Sequence, residues 1–159
     1  QRTLPLFHPE KNNMLSRLIY VSRPTEGVDL RETRRILAVS QANNPRRAIS
    51  GALVFNSGYF LQWLEGARRE ISHLFVHIAK DPRHSDVELL DFARVPRRQF
   101  GEWSMQYIGE GVLNQPLFAR YAHGSAFDPY TLDAPAAVEF MQEAAENSVR
   151  LSKSQVSAA

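Results

Sequence analysis

An α+β domain, one sheet carrying two helices on the same face, is the fold class the sequence predicts. Three observations lead there. Short β-branched and aromatic runs alternate with two amphipathic helical stretches in the order β-α-β-β-α-β-β. The two middle runs are joined by the tight turn Asn56-Ser57-Gly58. The 159 residues are 43% apolar, enough for one packed core and too little for membrane spans. No run approaches the roughly 18 consecutive apolar residues of a transmembrane helix.

Leu15 to Ser22 reads as the first strand, broken by Pro24 and Gly27. Asp29, with Glu32 three residues on, opens a helix running to about Gln41. Leu30, Thr33, Ile36, Leu37 and Ser40 form its inner stripe, and Asn43-Asn44-Pro45 stops it. Ile49–Phe55 and Tyr59–Leu64 are the second and third strands, the latter ended by Glu65-Gly66. Residues 68–80 form the second helix, with Ile71, Leu74, Phe75 and Ile78 at i, i+3, i+4 and i+7, and Asp81-Pro82 ends it. Val87–Val95 is the fourth strand, and the fifth lies near Trp103–Ile108. This order is the ferredoxin-like split unit plus one strand.

On the third strand Phe60, Gln62 and Leu64 alternate with Tyr59, Leu61 and Trp63, so both sheet faces need cover. The tail supplies helices over about 113–122 and over Ala136–Leu151, the latter carrying Val138, Met141, Ala145 and Val149. The expected organisation is a flexible leader over 1–14, a core domain over 15–110 and a helical cap over 111–159 on the second face. Gln1–Asn13 has no signal-peptide pattern, Met14 fits a natural start, and a cytoplasmic location is the default.

The chain has no cysteine. Disulfides, Cys-ligated zinc, iron–sulfur clusters, a thiolate nucleophile and thiol-linked chromophores are excluded. Nineteen basic residues against 17 acidic give a net charge of +2, so direct nucleic-acid binding is not expected. The arginine pairs (Arg34–Arg35, Arg46–Arg47, Arg68–Arg69, Arg97–Arg98) either decorate solvated faces or meet a phosphate or partner. His73 and His77 are spaced for a metal but lack a third ligand, and they read as a solvated flank.

Gln62 is the most unusual residue, an amide between Phe60 and Leu64 on a buried strand face. Left unpaired there it would cost about 1–3 kcal/mol. It is either bonded to neighbouring backbone or held for function. Tyr20, sharing a face with Leu18 and Ser22, poses the same alternative.

Tyr20 in the first strand, Asn44 after the first helix, Phe60-Leu-Gln-Trp-Leu-Glu-Gly66, Asp81-Pro-Arg-His84 and Trp103-Ser-Met105 together resemble the BLUF family of blue-light sensors. The likeness covers about residues 15–108, and its most specific part runs from Ser50 to Gly66. Asn43 stands where the family carries His or Asn. The resemblance implies FAD bound without a covalent link between the two helices and the sheet. It implies that Ile36 lines the ring, that Asn43 and Asn44 meet its polar edge, and that Asp81, Arg83 and His84 approach from the second helix's end. No glycine-rich phosphate loop exists among the eight glycines, so FAD rather than FMN rests on the likeness alone.

By the same resemblance Tyr20 gives an electron and then its proton, and Gln62 bridges the phenol and the flavin. Gln62 ends either rotated or tautomerised, and a flavin carbonyl gains a hydrogen bond. Trp103 and Met105 compete for the place beside it. The expected protein is a photosensor, not an enzyme, signalling to an unidentified partner protein or by self-association. The rival reading is a ferredoxin-like small-molecule or RNA-binding module without photochemistry. An RNA module wants exposed aromatic platforms in basic surroundings, which the interleaved apolar strands do not offer. A small hydrolase wants an anion loop that Arg46 and Arg47 imitate without glycines.

Overall fold

A computed structural model describes residues 15–56, 58–101, 104–111 and 114–157, with side chains to residue 147. The expected leader, Met14 and Trp103 lie outside the described residues. The elements are β1 (Leu15–Pro24), α1 (Leu30–Asn43), a 3-10 turn (Asn44–Arg47), β2 (Ser50–Asn56), β3 (Tyr59–Ala67) and α2 (Arg68–Lys80). They continue with β4 (His84–Arg94), β5 (Gln106–Ile108), α3 (Gln115–Arg120), a 3-10 turn (Pro129–Thr131) and α4 (Ala134–Ser157).

The sheet order is β4-β1-β3-β2-β5, antiparallel throughout except for the parallel β2–β5 pair. This is the α+β, ferredoxin-like arrangement with one strand added at the β2 edge. β3 lies at the centre and is buried along its length up to Gly66. A strand covered on both faces needs apolar side chains on both, which is why its sequence shows no simple polar alternation. β2 and β3 approach so closely at Gly51 that a Cβ there would lie 2.0 Å from the Trp63 carbonyl oxygen. Only glycine fits.

The inner face holds Leu18, Leu53, Phe60 and Leu64, against which Ile36 and Leu37 of α1 and Ile71, Leu74, Phe75 and Ile78 of α2 pack. The Asp29 side chain accepts from the Glu32 amide at 2.9 Å and caps α1 as expected. Leu30 departs from the expected inner stripe and is 52% exposed. Side chains tilt toward a helix's N-terminus, so the first helical residue projects past the sheet instead of onto it. The outer face is covered by α3 and α4, whose Leu117, Phe118, Phe140 and Met141 join Ile19, Val54, Leu61 and Trp63. Phe140 stacks on Phe127 at 4.7 Å and meets Phe118 edge-on at 5.2 Å. Val149 lies beyond the described side chains.

Several boundaries move. β1 is not broken by Pro24 but includes it, because beyond Ser22 the strand pairs only with β4 and Pro24 sits opposite His84. The tail helices run over Gln115–Arg120 and Ala134–Ser157. β3 runs past Glu65-Gly66 to Ala67, because Leu15, Ser16 and Arg17 of β1 continue the ladder opposite it. β4 starts three residues early, since His84 pairs with Pro24. β5 begins only at Gln106, because it has just Ala52, Leu53 and Val54 to pair with. Among the described residues no helix is long and apolar enough to cross a membrane.

Candidate functional site

A cleft of about 410 Å³ lies between α1, α2 and the inner sheet face, within the range typical of ligand sites. Tyr20, Ile36, Asn43, Asn44, Gln62, Asp81, Arg83 and His84 all line it. Its walls are apolar (Ile36, Leu53, Phe60, Leu74, Ile78) and its polar groups converge from the floor and the two ends.

Strand register builds the floor. Tyr20 of β1 stands directly opposite Gln62 of β3 in the antiparallel ladder, so both side chains share the inner face. The Tyr20 hydroxyl donates a hydrogen bond to Gln62 Oε1. Gln62 Nε2 in turn donates to the Met105 sulfur at 3.4 Å. Tyr20, Gln62 and Met105 are all buried. Burial first, and then the nearby Asp81 carboxylate, push the Tyr20 phenol well above its ordinary pKa of 10.0. The hydroxyl therefore stays neutral, and in this geometry it donates to Oε1 while Nε2 faces Met105. Thioether sulfur is a weak acceptor, so the amide is held by one strong bond and one weak one.

One end of the cleft is closed by an ion triad. Arg83 meets Asp81 at 2.6 Å and reaches Glu32 of α1 at 3.0 Å, bridging the helices. Hydrogen bonding from Arg83 lowers the Asp81 carboxyl to about 2 against the opposing effect of burial. His84 shares a 2.7 Å hydrogen bond with Ser22 and lies 4.6 Å from the Phe60 ring. Its pKa is lowered, mainly by burial, so it is neutral near pH 7.

At the other end Asn44 Nδ2 donates to the Ser104 carbonyl at 2.9 Å, and Gln41 Nε2 donates to the Met105 carbonyl at 3.0 Å. The end of α1 thus grips the segment that enters β5. Asn44 keeps its second N–H and its Oδ1 for a ligand. Asn43 is exposed on the rim. His77, read as solvated, also borders the cleft, whereas His73 does not line it.

Sequence reasoning missed Gln41, Ser22 and the binding role of Glu32. Gln41 lies three residues before Asn44 on a helix, and Ser22 two residues after Tyr20 on a strand. Shared-face spacing was the signal available for both. The Glu32–Arg83 contact spans 51 residues and had no local signal.

The cleft thus combines an apolar patch (Ile36, Leu53, Phe60, Leu74, Ile78) with amides and charged groups on its floor and rim, a lining that can hold a ligand with both apolar and polar parts. A family model described as sensors of blue-light using FAD (BLUF) matches residues 15–106. The blue light- and temperature-regulated antirepressor BluF of Escherichia coli (strain K12) is 34% identical over 95 residues, 58% of this chain and 23% of that protein. The photoactivated adenylate cyclase subunit beta of Euglena longa is 29% identical over 64% of this chain and 12% of its own length. The chain therefore spans only a small part of these curated relatives. Among solved structures, BlsA in its photo-activated state superposes with a TM-score of 0.76 at 28% identity, over 83% of this chain and 95% of that one. BlrB, a BLUF protein in its dark state, gives 0.71 at 27% identity, over 84% and 96%.

Proposed function

The chain belongs to the BLUF family, sensors of blue light using FAD, and on that premise we propose that it binds FAD non-covalently in the inner cleft and switches its Tyr20–Gln62–Met105 hydrogen bonds in blue light. The observation that carries this reading is the Tyr20–Gln62 cross-strand pair facing the cleft. Bound flavin would supply a blue-absorbing ring able to accept an electron. Ile36, Leu53 and Phe60 would pack against it and keep water out, while Asn43, Asn44, Asp81, Arg83 and His84 would orient its polar edge.

Tyr20 would give an electron to the excited ring and its phenolic proton along the hydrogen bond to Gln62, and would take both back as the cycle closes. Gln62 is the moving part. Turning its amide end for end breaks both the bond from the Tyr20 hydroxyl and the weak bond to Met105 sulfur, and a neutral phenol can accept from Nε2 in place of the first; tautomerising the amide likewise exchanges donor and acceptor. Every group of the chain returns to its starting covalent state, so the cycle senses light and catalyses nothing.

The signal leaves through residues 104–108. Ser104 and Met105 are gripped by Asn44 and Gln41, and β5 is the short strand beside β2. Ile108 belongs to the outer core under α3 and α4, so a shift of this segment changes how that cap docks. A cytoplasmic partner protein or a second copy of the chain reads the change. The division into a domain over 15–110 and a cap over 111–159 follows from the same route.

The test is an absorption spectrum of flavin-loaded protein before and after blue light. The expected result is a small, reversible red shift, with all flavin released on acid denaturation. A colourless protein after flavin addition, or flavin kept on the precipitated chain, overturns the reading.

A further inference from the structure

We propose that Arg46 and Arg47 form a phosphate-recognising lip on the cleft, so that the protein selects flavin nucleotides over unphosphorylated flavin. This rests on the flavin reading above and adds a subsite to it. Both arginines line the cleft and both are exposed. Neither pairs with a carboxylate among the described residues.

The two ends of the cleft differ in charge. At the Asp81 end the guanidinium of Arg83 is spent on Asp81 and Glu32. At the Asn44 end Arg46 and Arg47 present two positive charges without a protein counter-charge among the described residues. A neutral ring with its polar edge inside gives such a lip nothing to bind. A phosphate or pyrophosphate carried outside the ring does, and the guanidinium fork matches its oxygens.

The lip is also pre-formed. It sits on the 3-10 turn Asn44–Arg47, whose φ is restrained by Pro45 near its start. Asn44 anchors that start to the Ser104 carbonyl at 2.9 Å. At the other side Arg98 donates to the Ala48 carbonyl at 2.7 Å, holding Ala48 in its left-handed conformation at φ 51. Little chain entropy is then lost when an anion docks. No glycine-rich loop is needed, because the recognition is by side chains on a rigid turn.

The experiment titrates apoprotein with riboflavin, FMN and FAD, following flavin fluorescence. Wild type should bind FMN and FAD about tenfold more tightly than riboflavin at low salt, as two charge-assisted contacts at an exposed site allow. The preference should collapse at about 1 M salt, where the screening length is about 3 Å. The double variant R46Q/R47Q should lose the preference and bind riboflavin as wild type does. R46K/R47K should retain most of it. Equal affinities in wild type, or a preference that survives in R46Q/R47Q, overturns the lip. So does a matching loss of riboflavin affinity in R46Q/R47Q, which would make the arginines structural. Failure of wild type to bind any of the three flavins instead sinks the reading of the cleft itself.

Discussion

Three residues apart on β3, two buried polar side chains are held in opposite ways. Gln62 faces inward and makes one strong hydrogen bond, to the Tyr20 hydroxyl, and one weak one, to Met105 sulfur. Glu65 faces outward, and its carboxylate accepts from four donors. Ser50 Oγ, Trp63 Nε1 and the amides of Gln99 and Phe100 lie at 2.9, 3.0, 2.9 and 2.6 Å. Arg98 adds bonds to Ser50 Oγ at 2.7 Å and to the Glu65 carbonyl at 3.2 Å. The tyrosines repeat the contrast. Tyr20 donates to a neutral amide at the cleft, and Tyr59 on the outer face donates to the Glu110 carboxylate. An amide offers a donor and an acceptor of similar size and can exchange them, whereas a carboxylate has only acceptors and stays where its donors put it. One strand thus carries an amide able to exchange donor and acceptor on one face and a fixed carboxylate on the other.

Breaking the contrast at the tyrosines gives the largest expected effect. Tyr20→Phe should keep bound flavin, because the ring still packs on Phe75, and should lose the red-shifted photoproduct completely. Gln62→Leu should do the same, filling a similar volume without an amide. Tyr59→Phe should leave the light-minus-dark spectrum at wild-type size. A normal difference spectrum in either inner-face variant removes those roles, and loss of the response in Tyr59→Phe shows that the two faces are not independent.

Stability should report the opposite ranking. Glu65→Ala strands four donors in the interior and should cost about 3–5 kcal/mol in urea unfolding. Gln62→Leu leaves only the Tyr20 hydroxyl unpaired and should cost about 1–3 kcal/mol. Equal losses would mean that Gln62 is as firmly held as Glu65 and is no switch. At the Asn44 end of the cleft, Asn44→Ala should weaken flavin binding by about 1–3 kcal/mol in a titration, since a buried amide is lost there. Unchanged affinity would take Asn44 out of the site.

The inner-face amide was legible in the sequence and the outer-face carboxylate cluster was not. Tyr20 and Gln62 announce themselves as polar groups on otherwise apolar strand faces, and two-residue periodicity alone places them inward. That they stand opposite one another depends on register, which the alternating pattern restricts but does not name. Glu65 reads as the end of a strand, because Glu-Gly is a common stop and two of its four donors come from residues 99 and 100, more than thirty positions on. Met105 was assigned to a strand and lies just before one; its contact with Gln62 spans 43 residues and follows from where β5 joins β2. The outer cap was foreseen for a simpler reason: Leu61 and Trp63 had to be covered, and the tail held the only apolar helical stretches left.

The smallest effect concerns a third carboxylate, Asp81, which belongs to neither class: it is bonded as firmly as Glu65 but at the cleft's rim, beside an Arg83 that is 38% exposed. Its folded pKa is about 2 against an ordinary 3.8, held down first by the hydrogen bond from Arg83. A depressed carboxylate stabilises the fold above its unfolded pKa and loses that contribution as pH falls through the folded value. The window is therefore pH 4 down to pH 2. Solvent around Arg83 screens the pair, so the contribution should be no more than about 1 kcal/mol. Urea midpoints of wild type and Asp81→Asn should differ at pH 6 and converge toward pH 2, the other carboxylates affecting both proteins alike. A difference that stays constant across that range would show that the Asp81 carboxylate charge adds nothing to closing this end of the cleft, leaving Glu32–Arg83 as the bridge between the helices.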